Sequence, residues 1–159
     1  MRTEKRRRRE CKTDYKLRMG LLKSSKPRIV IRRTNKYFVV QAIESFEAQD
    51  KVIKGVSSKD LIAKGCDEKS AGSLKSVPAA YLTGLLLAKE LKTKDFIIDL
   101  GMAKNIAGNR NYAVVKGLID GGLNINANPE SLPSDERING EHMSEDAQKL
   151  ITKVKAKIK

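Results

Sequence analysis

The positive charge of this chain is concentrated at its two ends, and this limits which residues can form a folded core. Residues 1–36 carry a net charge of +12, residues 37–148 a net charge of −3, and residues 149–159 a net charge of +5. A run such as Lys5–Arg9 repels itself and needs solvent or an anionic partner. We therefore expect a slightly acidic folded body that carries a basic arm and a basic tail.

Length and composition exclude several classes of protein. With 159 residues, of which 40% are hydrophobic, the chain suits one compact domain with a real core. No apolar run exceeds four residues, whereas a membrane span needs about 20, and the charged start excludes a secretory signal. Two cysteines and one histidine provide neither a disulfide framework nor an ordinary four-ligand zinc site. We expect a reducing cytosolic setting and no cofactor, metal or membrane partner.

The basic run at residues 5–9 permits three interpretations. It can bind nucleic acid, because cationic side chains displace counterions from phosphates. It can bind an anionic membrane surface, or it can be a targeting signal or a solvated tail. Nucleic acid is favoured because the run is mostly Arg, whose planar fork fits phosphate. A membrane anchor would also need Trp, Phe or Leu, and residues 1–14 contain none of them.

A β-hairpin is predicted from two β-branched segments, Arg28–Thr34 and Tyr37–Ile43, on either side of Asn35-Lys36. The two-residue loop sets a register in which residue 34 pairs with 37 and residue 28 with 43. Alternation then sorts the side chains onto two faces. One face is predicted to join the core, and it holds Ile29, Ile31, Phe38, Val40 and Ala42.

The other hairpin face mixes polar and aliphatic side chains: Arg28, Val30, Arg32, Thr34, Tyr37, Val39, Gln41 and Ile43. It can be a solvated outer face in which long side chains cover apolar ground. It can also be an RNA-facing surface continuous with the basic arm. We favour the RNA-facing surface because Arg28, Arg32 and Arg33 meet no acid within the hairpin.

The remaining elements predict an α/β fold. Thr13 is the expected N-cap of a short helix over 13–24, whose apolar stripe lies on the body while Lys16, Arg18 and Lys23 face outward. A third strand over 51–56 is predicted after a turn near Gln49-Asp50. It is followed by a short helix, a long helix from Ser76, a strand over 96–101, a helix over 112–121 and a strand over 123–125. A C-terminal helix follows Ser144. The class is α/β: a single mixed sheet, formed by an antiparallel meander and βαβ crossovers, with packed helices.

We divide the chain into three parts. Residues 1–27 form a basic N-terminal arm and short helix, residues 28–126 a mixed-sheet RNA-binding domain, and residues 127–159 an irregular segment and basic C-terminal helix. The lysines of that last helix can favour its negative end and can also contact RNA or protein.

Signals for catalysis are weak. Asp95 and Asp99 fall on one face of a strand and could hold a metal ion, but each is also an ordinary turn or strand-end residue. Gly101 and Gly108 flank a loop without completing a phosphate-binding motif, and His142 has no evident nucleophile nearby. We expect no enzyme activity. The alternatives are a metal-dependent RNA-processing enzyme that uses the Asp pair, or a general nucleic-acid-binding protein.

Several motifs resemble family eighteen of the large-subunit ribosomal proteins, the 5S rRNA-binding family, in its archaeal and eukaryotic form. The resemblance covers about residues 2–143 and is most specific in the arm and the central helix. The matching residues are Arg6-Arg7-Arg8-Arg9-Glu10, Thr13-Asp14-Tyr15, Arg18, Leu21-Leu22, Lys26-Pro27-Arg28, Val30, Arg32, Asn35-Lys36, Gln41, Ala80-Tyr81-Leu82-Thr83-Gly84-Leu85-Leu86, Asp99-Leu100-Gly101, Lys116-Gly117, Asp120-Gly121-Gly122-Leu123 and Gly140-Glu141-His142.

The resemblance implies a structural protein of the large subunit that binds 5S rRNA. It implies that the protein links 5S rRNA to the large rRNA in the central protuberance, as a monomer in the cytoplasmic ribosome beside another 5S-binding ribosomal protein. The resemblance implies RNA binding at the positions that match the family's motifs: Arg6, Arg7, Arg8, Arg9, Lys12, Tyr15, Arg18, Lys26, Arg28, Arg32, Asn35 and Lys36. To these we add the outward-facing or loop residues Lys16, Lys23, Arg33, Tyr37, Gln41, Lys104 and Arg110.

Overall fold

The computed structural model describes residues 3–47, 49–66, 74–92 and 95–158. The elements in chain order are α1 (Arg6–Arg9), α2 (Tyr15–Lys23), β1 (Arg28–Arg33), β2 (Phe38–Phe46), β3 (Gln49–Ser57), a 3-10 turn (Ser58–Leu61), α3 (Val77–Glu90), β4 (Ile97–Asp99), α4 (Arg110–Asp120), a second 3-10 turn (Pro129–Ser131), α5 (Asp135–Asn139) and α6 (Glu145–Ile158). The four strands form one mixed sheet in the order β3-β2-β1-β4, which confirms the predicted fold class.

The first hairpin has the register that the two-residue loop predicts. Arg28 pairs with Ile43 and Arg33 with Phe38, and the Thr34 N–H donates to the Tyr37 carbonyl at 2.8 Å to close the turn. The predicted core face is confirmed, because its side chains are at most 1% exposed: Ile29, Ile31, Phe38, Val40 and Ala42. Loop length and period-two alternation were therefore sufficient to place the core face. The other face is a surface only in part, because Arg28, Val30 and Ile43 on it are buried.

The second hairpin extends further than the sequence predicts. The expected turn near Gln49-Asp50 is wrong, because both residues lie in β3 and pair with Phe46 and Ser45. A β-bulge between Ala42 and Ile43 shifts the register. The consequence is that Asp50 lies beside the start of β1, on the sheet face opposite to the core.

Strand β4 joins the sheet parallel to β1, with Asp99 opposite Val30. This parallel pair confirms the βαβ crossover, which runs through α3. The predicted final strand over 123–125 is wrong, because among the described residues it reduces to a single bridge between Asn124 and Asp95.

Helices α3 and α4 cover the core face of the sheet and approach each other very closely. Ser76 caps α3 by accepting from the Ala79 N–H. A Cβ atom at Gly84 would overlap the carbonyl oxygen of Val114, and one at Gly117 would overlap the carbonyl oxygen of Tyr81. The two helices therefore touch backbone to backbone, which only glycine permits.

Helix α6 lies against α3 and turns its apolar side inward, where Val154 and Ile158 are buried. Lys155 places its ammonium 5.2 Å from the centre of the Tyr81 ring. The Tyr81 hydroxyl donates to Asp120 on α4 at 2.8 Å. These contacts tie α3, α4 and α6 into one layer on one side of the sheet. In the part of the chain that the structure describes, no helix is long and apolar enough to cross a membrane.

Candidate nucleic-acid interface

The basic arm folds back onto the beginning of α2. The Arg7 Nε donates to the Thr13 hydroxyl at 2.8 Å, and the Lys5 ammonium lies 4.6 Å from the centre of the Tyr15 ring. Glu10 pairs with Arg6 at 3.3 Å and with Lys12 at 2.9 Å. These exposed ion pairs contribute little stability, but they hold several cations of the arm together.

Helix α2 begins one residue later than the sequence predicts. Its N-cap is Asp14 and not Thr13, because the Asp14 carboxylate accepts from the backbone N–H groups of Lys16 and Leu17. No residue of α2 is buried, and Leu17 and Met19 are 44% and 59% exposed. The prediction that the whole apolar stripe packs on the body is therefore wrong for these two side chains.

An alternating chain of ions joins α2 to the sheet. Arg18 on α2 pairs with Asp50 on β3 at 2.9 Å, and Asp50 also pairs with Arg28 on β1 at 2.6 Å. Arg28 lies 3.6 Å from Asp99 on β4, which pairs with Arg32 at 3.0 Å. We call Arg18, Asp50, Arg28, Asp99 and Arg32 the ion ladder. It places two guanidinium groups at fixed positions, one at each end.

Hydrogen bonds and neighbouring cations hold the two carboxylates of the ion ladder in place. Burial alone would raise the pKa of Asp50, but a hydrogen bond from the Ser45 hydroxyl and the charges of Arg18 and Arg28 outweigh it and lower that pKa. The Asp99 carboxylate accepts from the Gly101 N–H at 2.8 Å as well as from Arg32. Arg32 therefore has a rigid anchor, and the loop after β4 is fixed beside it.

Arg28 lies inside the protein and not on its surface. Its side chain is 2% exposed between Asp50 and Asp99, and its Nε and Nη1 have no hydrogen-bond partner among the described residues. The sequence interpretation considered only acids within the first hairpin, and the two acids that enclose Arg28 lie outside it. The structure assigns Arg28 the role of holding two carboxylates in place, whereas the RNA contact predicted for it would need an exposed side chain.

Half of the cations predicted to contact RNA, Arg28 aside, line two adjoining grooves. The first, which we call the arm groove, has a volume of about 300 Å³ and lies between the arm with α2 and the loop after β4. The second, the loop groove, has a volume of about 640 Å³ and continues towards α4. Their walls share Lys12 and Arg32. Together they are lined by cations from four separate segments: Arg7, Lys12, Arg18, Arg32, Arg33, Lys104 and Arg110.

Tyr15 also lines the arm groove, whereas the other predicted contact residues lie outside the two grooves. Six of them are exposed cations of the arm, of α2 or of the first turn: Arg6, Arg8, Arg9, Lys16, Lys23 and Lys36. Asn35 is exposed beside Lys36, whereas Tyr37 and Gln41 are half-buried. Lys26 lines a separate groove of about 280 Å³ with Asp95 and Asn124. The predicted set is thus one continuous basic surface at the grooves plus cations scattered around it.

The alternative of a metal-dependent enzyme finds no support in the geometry. The Asp99 carboxylate is bound by guanidinium groups, and the Asp95 carboxylate accepts from the Asn124 amide at 2.7 Å. No group of three or more His, Cys, Asp or Glu side chains that could hold a metal ion occurs within residues 3–47, 49–66, 74–92 and 95–158. His142 is exposed and belongs to no such group among those residues.

Sequence reasoning missed the apolar members of the grooves. Leu17 and Met102 line the arm groove, and Met102 and Ile106 line the loop groove. All three are between 44% and 61% exposed. One signal was available: Met102 and Ile106 are large apolar side chains in a loop that contains basic residues and shows no periodicity that would place them in the core.

Comparisons with known proteins agree with a ribosomal role. A family described as ribosomal large subunit proteins 60S L5 and 50S L18 matches residues 1–97, which include the arm and both hairpins. The large ribosomal subunit protein uL18 of Korarchaeum cryptofilum is 45% identical over 148 residues, covering 91% of this chain and 74% of that relative. The proteins of the same name from Methanospirillum hungatei and Methanoculleus marisnigri are 41% and 39% identical, covering 88% and 95% of this chain and 79% and 88% of those relatives.

Proposed function

Since the chain belongs to the family of ribosomal large subunit proteins 60S L5 and 50S L18, we propose that it binds 5S rRNA and helps to attach it to the large-subunit rRNA in the central protuberance. Family membership itself makes the protein a structural, non-catalytic component of the large subunit, bound to the ribosome in the cytoplasm. The choice of 5S rRNA, the neighbouring 5S-binding protein and the position in the subunit belong to the proposal.

The observation that carries the proposal is the convergence of seven cations on the arm groove and the loop groove. The acids that line the grooves are Asp14 and Asp99. Asp14 is used as a helix cap and Asp99 as the anchor of Arg32. The surface therefore keeps a large positive potential, which attracts the phosphate backbone of a structured RNA.

Anchored guanidinium groups suit a folded RNA better than a flexible one. Arg18 and Arg32 are fixed by Asp50 and Asp99, so little side-chain entropy is lost when each meets a phosphate. Proteins that bind structured RNA recognise the positions of phosphates and 2′-hydroxyls. Fixed cations at both ends of the ion ladder match such a pattern.

A second basic surface supports attachment to another RNA. Lys149, Lys153 and Lys157 are exposed at four-residue spacing along α6, and none of them forms an ion pair with a described residue. The ion ladder lies on the sheet face opposite to the one that α3 covers, and α6 packs on α3. The protein thus presents cations on both sides, as a link between two RNA segments requires.

Filter binding across a range of salt concentrations tests the two surfaces separately. Arg33→Ala with Lys104→Ala removes two groove cations, and Lys149→Ala with Lys153→Ala removes two from α6. We expect the groove variant to lose affinity for 5S rRNA and to flatten the log–log salt slope by roughly 0.7–0.9 for each lost phosphate contact. The α6 variant should keep wild-type affinity for 5S rRNA and bind large-subunit rRNA less tightly.

Two outcomes would contradict the proposal. If the groove variant bound 5S rRNA as tightly as the wild type, the grooves would not be the interface. If the wild type bound 5S rRNA, duplex DNA and anionic vesicles equally at about 0.15 M salt, the protein would be a general polyanion binder, because screening leaves only short-range contacts to discriminate.

A further inference from the structure

The arm groove combines two kinds of side chain that a phosphate-binding surface alone does not need. Its polar lining includes Arg7, Arg18 and Arg32, and its apolar lining includes Leu17 and Met102. Leu17 is 44% exposed and Met102 is 56% exposed. Large apolar groups left in water within a basic groove are typical of a site that a ligand covers.

The two walls of the groove come from different elements. Leu17 and Arg18 are on α2 and form one wall. The other wall consists of Arg32, near the end of β1, and of Gly101 and Met102 in the loop after β4. The ion ladder sets the distance between these walls, because Arg18 is bound to Asp50 and Arg32 to Asp99. The Gly101 backbone is also tied to Asp99 at 2.8 Å. The arm groove is therefore preformed: ion pairs hold its two walls in position, although no residue of α2 is buried.

The size of the groove limits its occupant. Its volume of about 300 Å³ lies at the lower end of the range for ligand pockets, roughly 300–1,000 Å³. A site of this size admits a single base with its sugar and phosphate but not a base-paired helix. Arg32 also keeps donors for a ligand: a guanidinium has five N–H groups, and Arg32 makes three hydrogen bonds to described residues.

We propose that the arm groove binds one unpaired nucleotide of the RNA, with the base against Leu17 and Met102 and the phosphate between Arg18 and Arg32. This inference rests on the proposed function, which supplies the RNA, and adds a contact that phosphate binding does not require. Bases that leave the stack are the main points at which proteins distinguish one structured RNA from another. The groove thus provides selectivity, while the cations around it provide most of the affinity.

The test compares three single variants with matched chemistry. Leu17→Ser and Met102→Ser each remove an apolar wall, while Met19→Ser removes an apolar side chain that is 59% exposed on the same helix and does not line the groove. We expect each groove variant to bind 5S rRNA about tenfold more weakly, because the base no longer covers a large apolar side chain, with an unchanged salt slope because no phosphate contact is lost. Met19→Ser should bind as the wild type does.

Chemical probing of 5S rRNA gives a second measurement. Bound wild-type protein and Met19→Ser should protect one unpaired nucleotide from base-specific modification, and Leu17→Ser and Met102→Ser should leave it reactive at saturating protein. Normal affinity and normal protection with both groove variants would overturn this inference alone. Failure of the wild type to bind 5S rRNA would overturn the proposed function and this inference with it.

Discussion

The contact between α3 and α4 makes Gly117 the position at which one added methyl group should do most damage. A Cβ atom there would overlap the carbonyl oxygen of Tyr81 and lie 3.0 Å from the backbone nitrogen of Leu85. Both are backbone atoms of α3, so no side chain can rotate away. We predict that Gly117→Ala destabilises the protein although alanine is the better helix former.

The magnitude follows from two opposing effects. Replacing Gly by Ala inside a helix is worth about 0.5–1 kcal/mol in favour of the folded state. Forcing extra volume into a packed interface costs about 1–3 kcal/mol, and more where backbone has to move. Because the obstacle at Gly117 is backbone, we expect a net loss of about 2 kcal/mol. For a domain of this size this lowers the melting temperature by roughly 4–8 °C.

The same substitution at Gly20 is the matched control. Gly20 lies within α2, and a Cβ atom there would meet nothing within 4 Å. Gly20→Ala should therefore raise helix content and leave the melting temperature equal to or slightly above that of the wild type. Urea and thermal unfolding followed by circular dichroism measure both variants. If Gly117→Ala were as stable as the wild type, the close approach of the two helices would be refuted.

Three further predictions follow from the buried polar contacts. Arg28→Ala should cost about 3 kcal/mol of stability in urea unfolding, because it leaves two carboxylates without their shared cation; a variant of wild-type stability would show that Arg28 is not enclosed. The lowered pKa of Asp50 means that its contribution to stability is present above its ordinary value of 3.8 and is lost as the pH falls through the lowered pKa. In Asp50→Asn the free energy of unfolding should therefore depend less on pH in the acid range. An unchanged pH dependence would contradict the ion ladder. Burial and the hydrogen bond to Asp120 raise the pKa of Tyr81, so Tyr81→Phe should lose about 1 kcal/mol, and ultraviolet titration should show one tyrosine fewer that resists ionisation.

Local pattern was sufficient for the elements whose partners are close in the chain. The first hairpin follows from a two-residue loop and period-two alternation, and α3 follows from a Ser cap, a proline in the first turn and an apolar stripe. Both agree with the structure. The predicted turn at Gln49-Asp50 failed because β2 and β3 stay paired as far as Phe46 and Gln49, which brings the turn closer to β2. The bulge near Ala42 and Ile43 was also not predicted, because alternation carries no signal for an inserted residue.

In the candidate site, too, some properties could be predicted from the sequence and others depend on the fold. Family membership and the partition of charge into a basic arm, a slightly acidic body and a basic tail were evident from the residues alone. The fate of the individual cations was not, because ion pairs form between side chains that only the fold brings together. Arg28 is the clearest case: its chemistry is that of a phosphate ligand, but Asp50 and Asp99 enclose it.

Sequence by itself determined the class of fold, the register of the first hairpin and the preference for an anionic polymer as partner. These properties depend on loop length, alternation and net charge, which are local or additive along the chain. Only the tertiary structure decided which cations are exposed, and that Leu17 and Met102 share a groove with Arg32. These depend on the position of β4 beside β1 and on the docking of α2 through Arg18. Such contacts join distant parts of the chain, and no local pattern records them.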